Sequence, residues 1–319
     1  MKFRMLLILL LPVANELVAQ EKDTSSLMNM LERETRNENS TKYVTAIFKT
    51  TRVINGHSIE NTGAGVMDVK ISHRFGTVKG GWSSFFGLDA ADTRIGVDYG
   101  INNWLMTGIG RSNAYGTVDA FFKAKLLRQS TGKINMPVGV SGVAAMQVNT
   151  TSWYNRVADD TLRSKFNSRL SYTFQLLIAR KFTEGLSLQV SPTYIHFNLP
   201  PPPPGKNPPL VQDNAHRNLL SVGFSGRQKI SKRASLNVEY FYQLPDHRLS
   251  WSENSFSVGF DIETGGHVFQ FMFTNSNLIA ENMFIAQTTD KWSKSGYRIG
   301  FNISRVFTVA HKHSGSSMK

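Results

Sequence analysis

The chain reads as an all-β protein, an antiparallel up-and-down transmembrane β-barrel of about 12 strands with a short N-terminal extension. Three observations predict this. Segments near ten residues long alternate apolar and polar positions, the connections between them alternate short and long, and a secretory leader precedes a chain with no apolar run long enough for a membrane helix.

The alternation is clearest from Phe166 to Phe197. Leu170, Tyr172, Phe174, Leu176 and Ile178 take the even positions, while Arg169, Ser171, Thr173 and Gln175 take the odd ones. After a tight Thr183-Glu184-Gly185 turn, Leu186, Leu188, Val190 and Tyr194 oppose Ser187, Gln189, Ser191 and Thr193. A period of two gives each strand one apolar and one polar face. Each half is long enough to cross a bilayer as a tilted strand, which takes about 9–11 residues.

Composition agrees with a barrel and excludes a helical membrane protein. The hydrophobic fraction of the 319 residues is 40%, and the mean hydropathy is -0.24. Alternation keeps that average low even when a barrel's outer surface is apolar. No linker divides the chain into two differently patterned halves. The absence of Cys excludes a disulfide framework, a thiolate metal site and a lipid-anchored cysteine.

Residues 1–20 read as a secretory signal peptide. Lys2 and Arg4 precede an apolar core from Met5 to Val13, and Leu17-Val18-Ala19 supplies the small residue before cleavage at Ala19 or Gln20. A membrane anchor would need about twice that apolar length. Residues 21–64 are expected to be a periplasmic lead and lumen plug. The polar stretch 21–43 cannot bury much apolar surface, and Val44–Val53 is strand-like but ragged before an Asn55-Gly56 turn signal.

From Gly65 the alternation is regular and defines a barrel over 65–307, followed by a polar C-terminal tail at 308–319. Met67, Val69 and Ile71 begin it; Ile95, Val97 and Tyr99 follow, then Leu105–Gly110, Val118–Leu126 and Val138–Val148. Beyond the 166–197 pair come Leu220–Phe224, Leu236–Tyr242, Phe256–Ile262, Phe269–Phe273 and Tyr297–Ile303, which makes twelve. Short connections at 100–103, 129–135, 182–185, 230–232 and 263–266 alternate with longer ones, as periplasmic turns and outer loops do. An even strand number leaves no place in the wall for Val44–Val53, so 44–64 is expected inside the lumen or under its mouth. The five Trp residues fall in connections or at strand ends, where headgroups favour amphipathic rings. Pro200–Pro204 should stiffen the loop that contains it.

Net charge is +13, yet Lys and Arg are scattered without a run of five, so no nucleic-acid surface is expected. Strand parity assigns the lumen-lining candidates Lys70, Arg94, Asp98, Asp119, Lys123, Lys125, Arg169, Glu239 and Arg298, with Asp68, Asp261 and Asn302 on the same face. A basic excess would favour anionic solutes. Charges that pair across a narrow lumen would instead seal it, and the pattern favours pairing with partial plugging.

Catalytic patterns are missing. Ser141 and Ser225 lack the trailing Gly of a nucleophile elbow, and there is neither a phosphate-binding loop nor an H-E-x-x-H helix. Ser72 and His73 are adjacent and point to opposite faces, which leaves His196 as the rim histidine a lipid hydrolase would need. His311 and His313 are too few for a metal, and no cofactor is expected.

The strings FKTTRVINGHSIEN (48–61), VKISHRFG (69–76), FFGLDAADTRIGVDYGINNWLMTGIGRS (85–112) and KAKLLRQSTG (123–132) resemble an uncharacterised Bacteroidetes outer-membrane β-barrel family, a domain of unknown function. The resemblance runs from about Phe48 to the last strand and implies the barrel and its location; it carries no activity or catalytic residue. The expectation is a non-enzymatic barrel in the outer membrane of a Gram-negative bacterium, surrounded by outer-membrane lipid. It would be porin-like, passing small solutes with anions among them, or a membrane scaffold. The alternatives are a barrel-embedded lipid hydrolase and a plugged barrel that binds a periplasmic partner through residues 21–64.

Overall fold

The computed structural model describes residues 28–29, 40–150, 165–201 and 217–310. Two short strands, β1 (Thr41–Tyr43) and β6 (Ser130–Gly132), pair with each other outside the main sheet. Twelve others close a barrel: β2 (Val66–Thr77), β3 (Ala91–Gly100), β4 (Leu105–Ser112), β5 (Val118–Leu127), β7 (Gly139–Val148), β8 (Leu170–Lys181), β9 (Leu186–Phe197), β10 (Asn218–Lys229), β11 (Ala234–Gln243), β12 (Ser255–Thr264), β13 (His267–Thr274) and β14 (Arg298–Thr308). Each pairs antiparallel with the next, and β14 closes the ring on β2, with Ile303 opposite Ile71. Closure leaves no unpaired edge, which hydrocarbon would not tolerate.

Alternation sets the two faces. Ile95, Ile109, Phe122, Phe174, Phe224 and Phe271 point outward and are exposed, while their neighbours are buried inside. Such side chains gain about 1.5–3 kcal/mol each on leaving water, and here lipid takes the place of a protein core. Trp82 and Trp104 are exposed in connections. Trp292 stacks on Tyr297 with ring centroids 5.3 Å apart. Trp153, Pro202–Pro204, His311, His313 and the leader lie outside the described residues.

The tight turns at 101–104, 182–185, 230–233 and 265–266 share one end of the barrel with the 128–138 connection, and the longest loops share the other with the five-residue 113–117 connection. Two segments enter the interior from opposite ends. From the short-turn end, residues 46–59 are mostly buried, and Ile47, Phe48, Val53, Ile54 and Ile59 pack with the inward Ala179 and Met272. Ile47 therefore faces the interior rather than lipid, and its N–H donates to Glu60 Oε1 at 2.8 Å. From the long-loop end, the connection between β13 and β14 dips inward around a one-turn helix, Glu281–Phe284. Its Leu278, Met283, Phe284 and Ile285 pack on Ile195, Phe197, Leu219 and Phe241 of the wall.

Candidate functional site

The N-terminal insert folds as a small hairpin about Asn55-Gly56. Val53 N–H donates to Gly56 O at 2.8 Å, Ser58 N–H donates to Thr51 O at 3.0 Å, and Arg52 bridges to His57. Its tip rests on Glu239, whose carboxylate accepts the N–H groups of Ile54, Asn55 and Gly56 at 3.3, 3.2 and 2.9 Å. A Cβ at Gly56 would lie 2.9 Å from Phe241 Cζ, so only glycine approaches this closely.

This hairpin joins no sheet, so the wall satisfies its backbone. Lys123 Nζ donates to Thr51 O at 3.3 Å and to Ser58 O at 3.0 Å. Gln189 Nε2 donates to His57 O at 2.8 Å. Gln270 Nε2 reaches Val53 O and Asn302 Nδ2 reaches Ile54 O, each at 2.9 Å. Buried backbone groups require such partners, and here they are side chains that could equally turn to water.

The two inserts meet near the middle of the barrel. Arg52 Nη1 donates to Glu281 Oε1, and His57 Nε2 lies 3.1 Å from the same oxygen. Arg52 also donates to Asn55 O at 3.2 Å and lies 5.5 Å from the Phe121 ring centroid. Burial, with Arg52 adding to it, pulls the His57 pKa down to about 3, so the ring is neutral at neutral pH. Burial opposes the charge on Glu281, but Arg52 and His57 hold its carboxyl well below the usual range.

The wall charges beside this junction are paired. Lys70 Nζ bridges Asp68 and Asp98, 2.6 Å from the latter, whose Oδ2 also accepts from Thr51 Oγ1 at 2.8 Å. Arg94 forks onto both oxygens of Asp119, with Nε to Oδ1 at 2.9 Å. Gly96 and Gly110 leave room for its guanidinium, since a Cβ at either would collide with it.

Lys70, Arg94, Asp98, Asp119, Lys123, Glu239 and Arg298 lie on the buried inward face, with Asp68, Asp261 and Asn302. Arg298 stands at the long-loop end, paired with Asp290. Two candidates stand at the mouths of the lumen rather than along its wall. Lys125 pairs with the inward Ser141 and so keeps the predicted face, half-buried at the short-turn rim in a cleft of about 110 Å³ lined with Val44, Ala46 and Glu60. Arg169 belongs to the 3-10 turn Phe166–Arg169 before β8, so it sits half-buried at the long-loop rim. Parity could have found Arg74, which is fully buried and donates to Asn55 Oδ1 at 2.8 Å. Arg52, His57 and Glu281 lie in irregular segments, where no periodicity marks them.

His196 faces outward with Nδ1 2.7 Å from Asn218 Oδ1, so its partner is an amide rather than a serine. Among the described residues, no group of three or more His, Asp or Glu side chains is placed to hold a metal.

A family model described as "Membrane bound beta barrel domain (DUF5777)" matches residues 48–307. Nothing among curated proteins matches the chain. Solved structures with similar folds include the KdgM porin at 9% identity and TM-score 0.43, covering 76% of this chain and 99% of that one. An outer membrane channel from Pseudomonas putida F1 aligns at 15% identity and TM-score 0.42, covering 78% and 98%. The outer membrane protein Omp33 of Acinetobacter baumannii aligns at 7% identity and TM-score 0.39, covering 76% and 97%.

Proposed function

The chain belongs to this membrane-bound β-barrel family, and we propose that it is a gated, porin-like outer-membrane channel for small solutes, closed in the form described here by its two inserts. The meeting of Arg52 with Glu281 carries this reading. A permanent filler would be expected to be apolar, because replacing a buried ion pair with packed apolar groups is often neutral or stabilising. Here apolar clusters seat both inserts, but the inserts meet each other, and fasten much of their backbone to the wall, through hydrogen bonds and an ion pair that water can replace. The reading is non-enzymatic, with His196 serving as an outward-facing rim residue.

Short turns mark the periplasmic side in bacterial barrels. The chain before the N-terminal insert reaches that side at β1, which pairs with β6 beyond the wall. A periplasmic partner that holds residues 21–43 would pull on the insert from there.

Planar-bilayer recording of the full chain tests the channel. Wild type is expected to conduct rarely and Glu281→Gln to show frequent stepwise openings. Silence from both, with the barrel folded, would make the protein a sealed scaffold.

A further inference from the structure

The inward face of the barrel is chemically divided. Along β2, β3 and β5 it carries Lys70, Arg74, Arg94, Asp98, Asp119 and Lys123, all buried. Most of these pair with one another or hold the N-terminal insert. From β7 to β10 the inward positions along the middle of the wall carry no charge; the exception is Arg227 near the short-turn rim of β10, which donates to Ala46 O at 3.2 Å and Ile47 O at 3.3 Å. Their polar members include Ser141, Gln147, Thr173, Gln175, Gln189 and Thr193, interspersed with Val143, Ala145 and Leu177.

The neutral wall also keeps unused hydrogen-bonding capacity. Ser141 Oγ, Gln147 Nε2, Gln175 Oε1 and Gln189 Oε1 are buried and find no hydrogen-bond partner among the described residues. Buried polar groups ordinarily find partners, so these atoms suit something that arrives from solution. The inserts touch this wall through apolar contacts on Ala179, Ile195, Phe197 and Leu219 and through hydrogen bonds, among them Gln189 Nε2 to His57 O at 2.8 Å and Asn282 Nδ2 to Ser171 Oγ at 2.7 Å. When the inserts withdraw, hydroxyl and amide groups line this side.

We propose that the solute path runs along the β7–β10 wall and selects uncharged, hydroxyl- or amide-bearing molecules of monosaccharide size. This rests on the channel reading above and gives it a substrate class. A carboxamide both donates and accepts, and a hydroxyl does the same, so each can exchange hydrogen bonds with a polyol in either sense. An ion on the same path would lose hydration along the middle of these strands, where no opposite charge replaces it, which is costly. The overall basic charge does not alter this, because the other inward basic groups are on the opposite half and face carboxylates or carbonyls, and Arg227 stands near the short-turn rim rather than along the middle of the path.

The test uses the full chain, wild type and Glu281→Gln, in liposomes whose swelling is followed in arabinose, gluconate and glucosamine. Arabinose is expected to enter at least about fivefold faster than either ion. Gln175→Glu should raise glucosamine entry relative to gluconate, and Thr193→Val should slow arabinose while the barrel stays folded, as judged by heat-modifiable gel migration. Equal or faster gluconate entry, or an unchanged ion ratio in Gln175→Glu, would overturn the path and its selectivity while the channel stands. No entry of any solute into liposomes holding folded barrel would overturn the channel reading and this proposal together.

Discussion

Arg52 donates to Glu281 at the centre of the barrel, across 229 positions of sequence, and thereby ties a segment that enters at one end to a loop that enters at the other. Both side chains are almost wholly buried, so neither insert can leave without exposing the other's charge to an unpaired site. The proposed gate is therefore one body with two attachments, joined at this pair.

Removing one partner of a buried pair typically costs about 3–5 kcal/mol, whereas replacing both with apolar groups can be neutral. Arg52→Ala and Glu281→Gln should therefore each raise open probability and lower the unfolding temperature. Arg52→Met combined with Glu281→Leu should recover much of the closure. A double-mutant cycle on open probability measures the coupling directly, and additive effects would mean that the inserts move independently.

Acid should open the gate. His57 has a pKa near 3 in the closed form against 6.5 when released, so the released form takes up the proton first as pH falls. Closed-state stability is complete above about pH 7 and declines through the interval between those values, by about 2 kcal/mol at pH 5. Glu281, also held low when closed, adds to the loss in the same direction at more acid pH. Arg52, Lys123 and Glu281 are the charged groups that act on the ring. Open probability measured at pH 7 and pH 5 should rise, and His57→Gln should flatten the response over that range.

Gly56→Ala should loosen the insert without replacing an ionisable group. The added methyl would press on Phe241 Cζ at 2.9 Å and on Glu239 Oε2 at 3.2 Å. Overpacking of this kind costs about 1–3 kcal/mol. Protease sensitivity of the N-terminal segment in the folded barrel should increase, and a lack of change would indicate that the tip has room to retreat.

The outward face can be tested separately from the lumen. Ile109 is exposed at mid-strand on β4, and a Lys on the lipid face near the bilayer midplane costs about 2–4 kcal/mol. Ile109→Lys should reduce refolding into bilayers by that amount, while Asn237→Ser on the inward face should leave refolding nearly unchanged.

The barrel was legible because its signal is local. In β8 and β9 every apolar even position faces out and every odd position faces in, and a two-residue period needs no distant partner to be read. The same parity places Lys70 and Glu239 inside. Lys125 keeps that parity at the short-turn rim, opposite the inward Ser141, while Arg169 lies in the turn that precedes β8, at the long-loop rim. Parity gives no sign of Glu281, because a one-turn helix inside a loop has no repeat to detect.

The sequence by itself determined the strand number, the two faces and the even parity that excludes residues 44–53 from the wall, all consequences of periodicity and of the rule that hydrocarbon tolerates no unpaired edge. Only the tertiary structure decided that the lumen is filled from both ends, that its charges are matched within one half of the wall and that Arg52 finds Glu281. Those facts depend on where two irregular segments settle. Their positions follow from which buried donors and acceptors lack partners once the ring has closed, a condition that exists only in three dimensions.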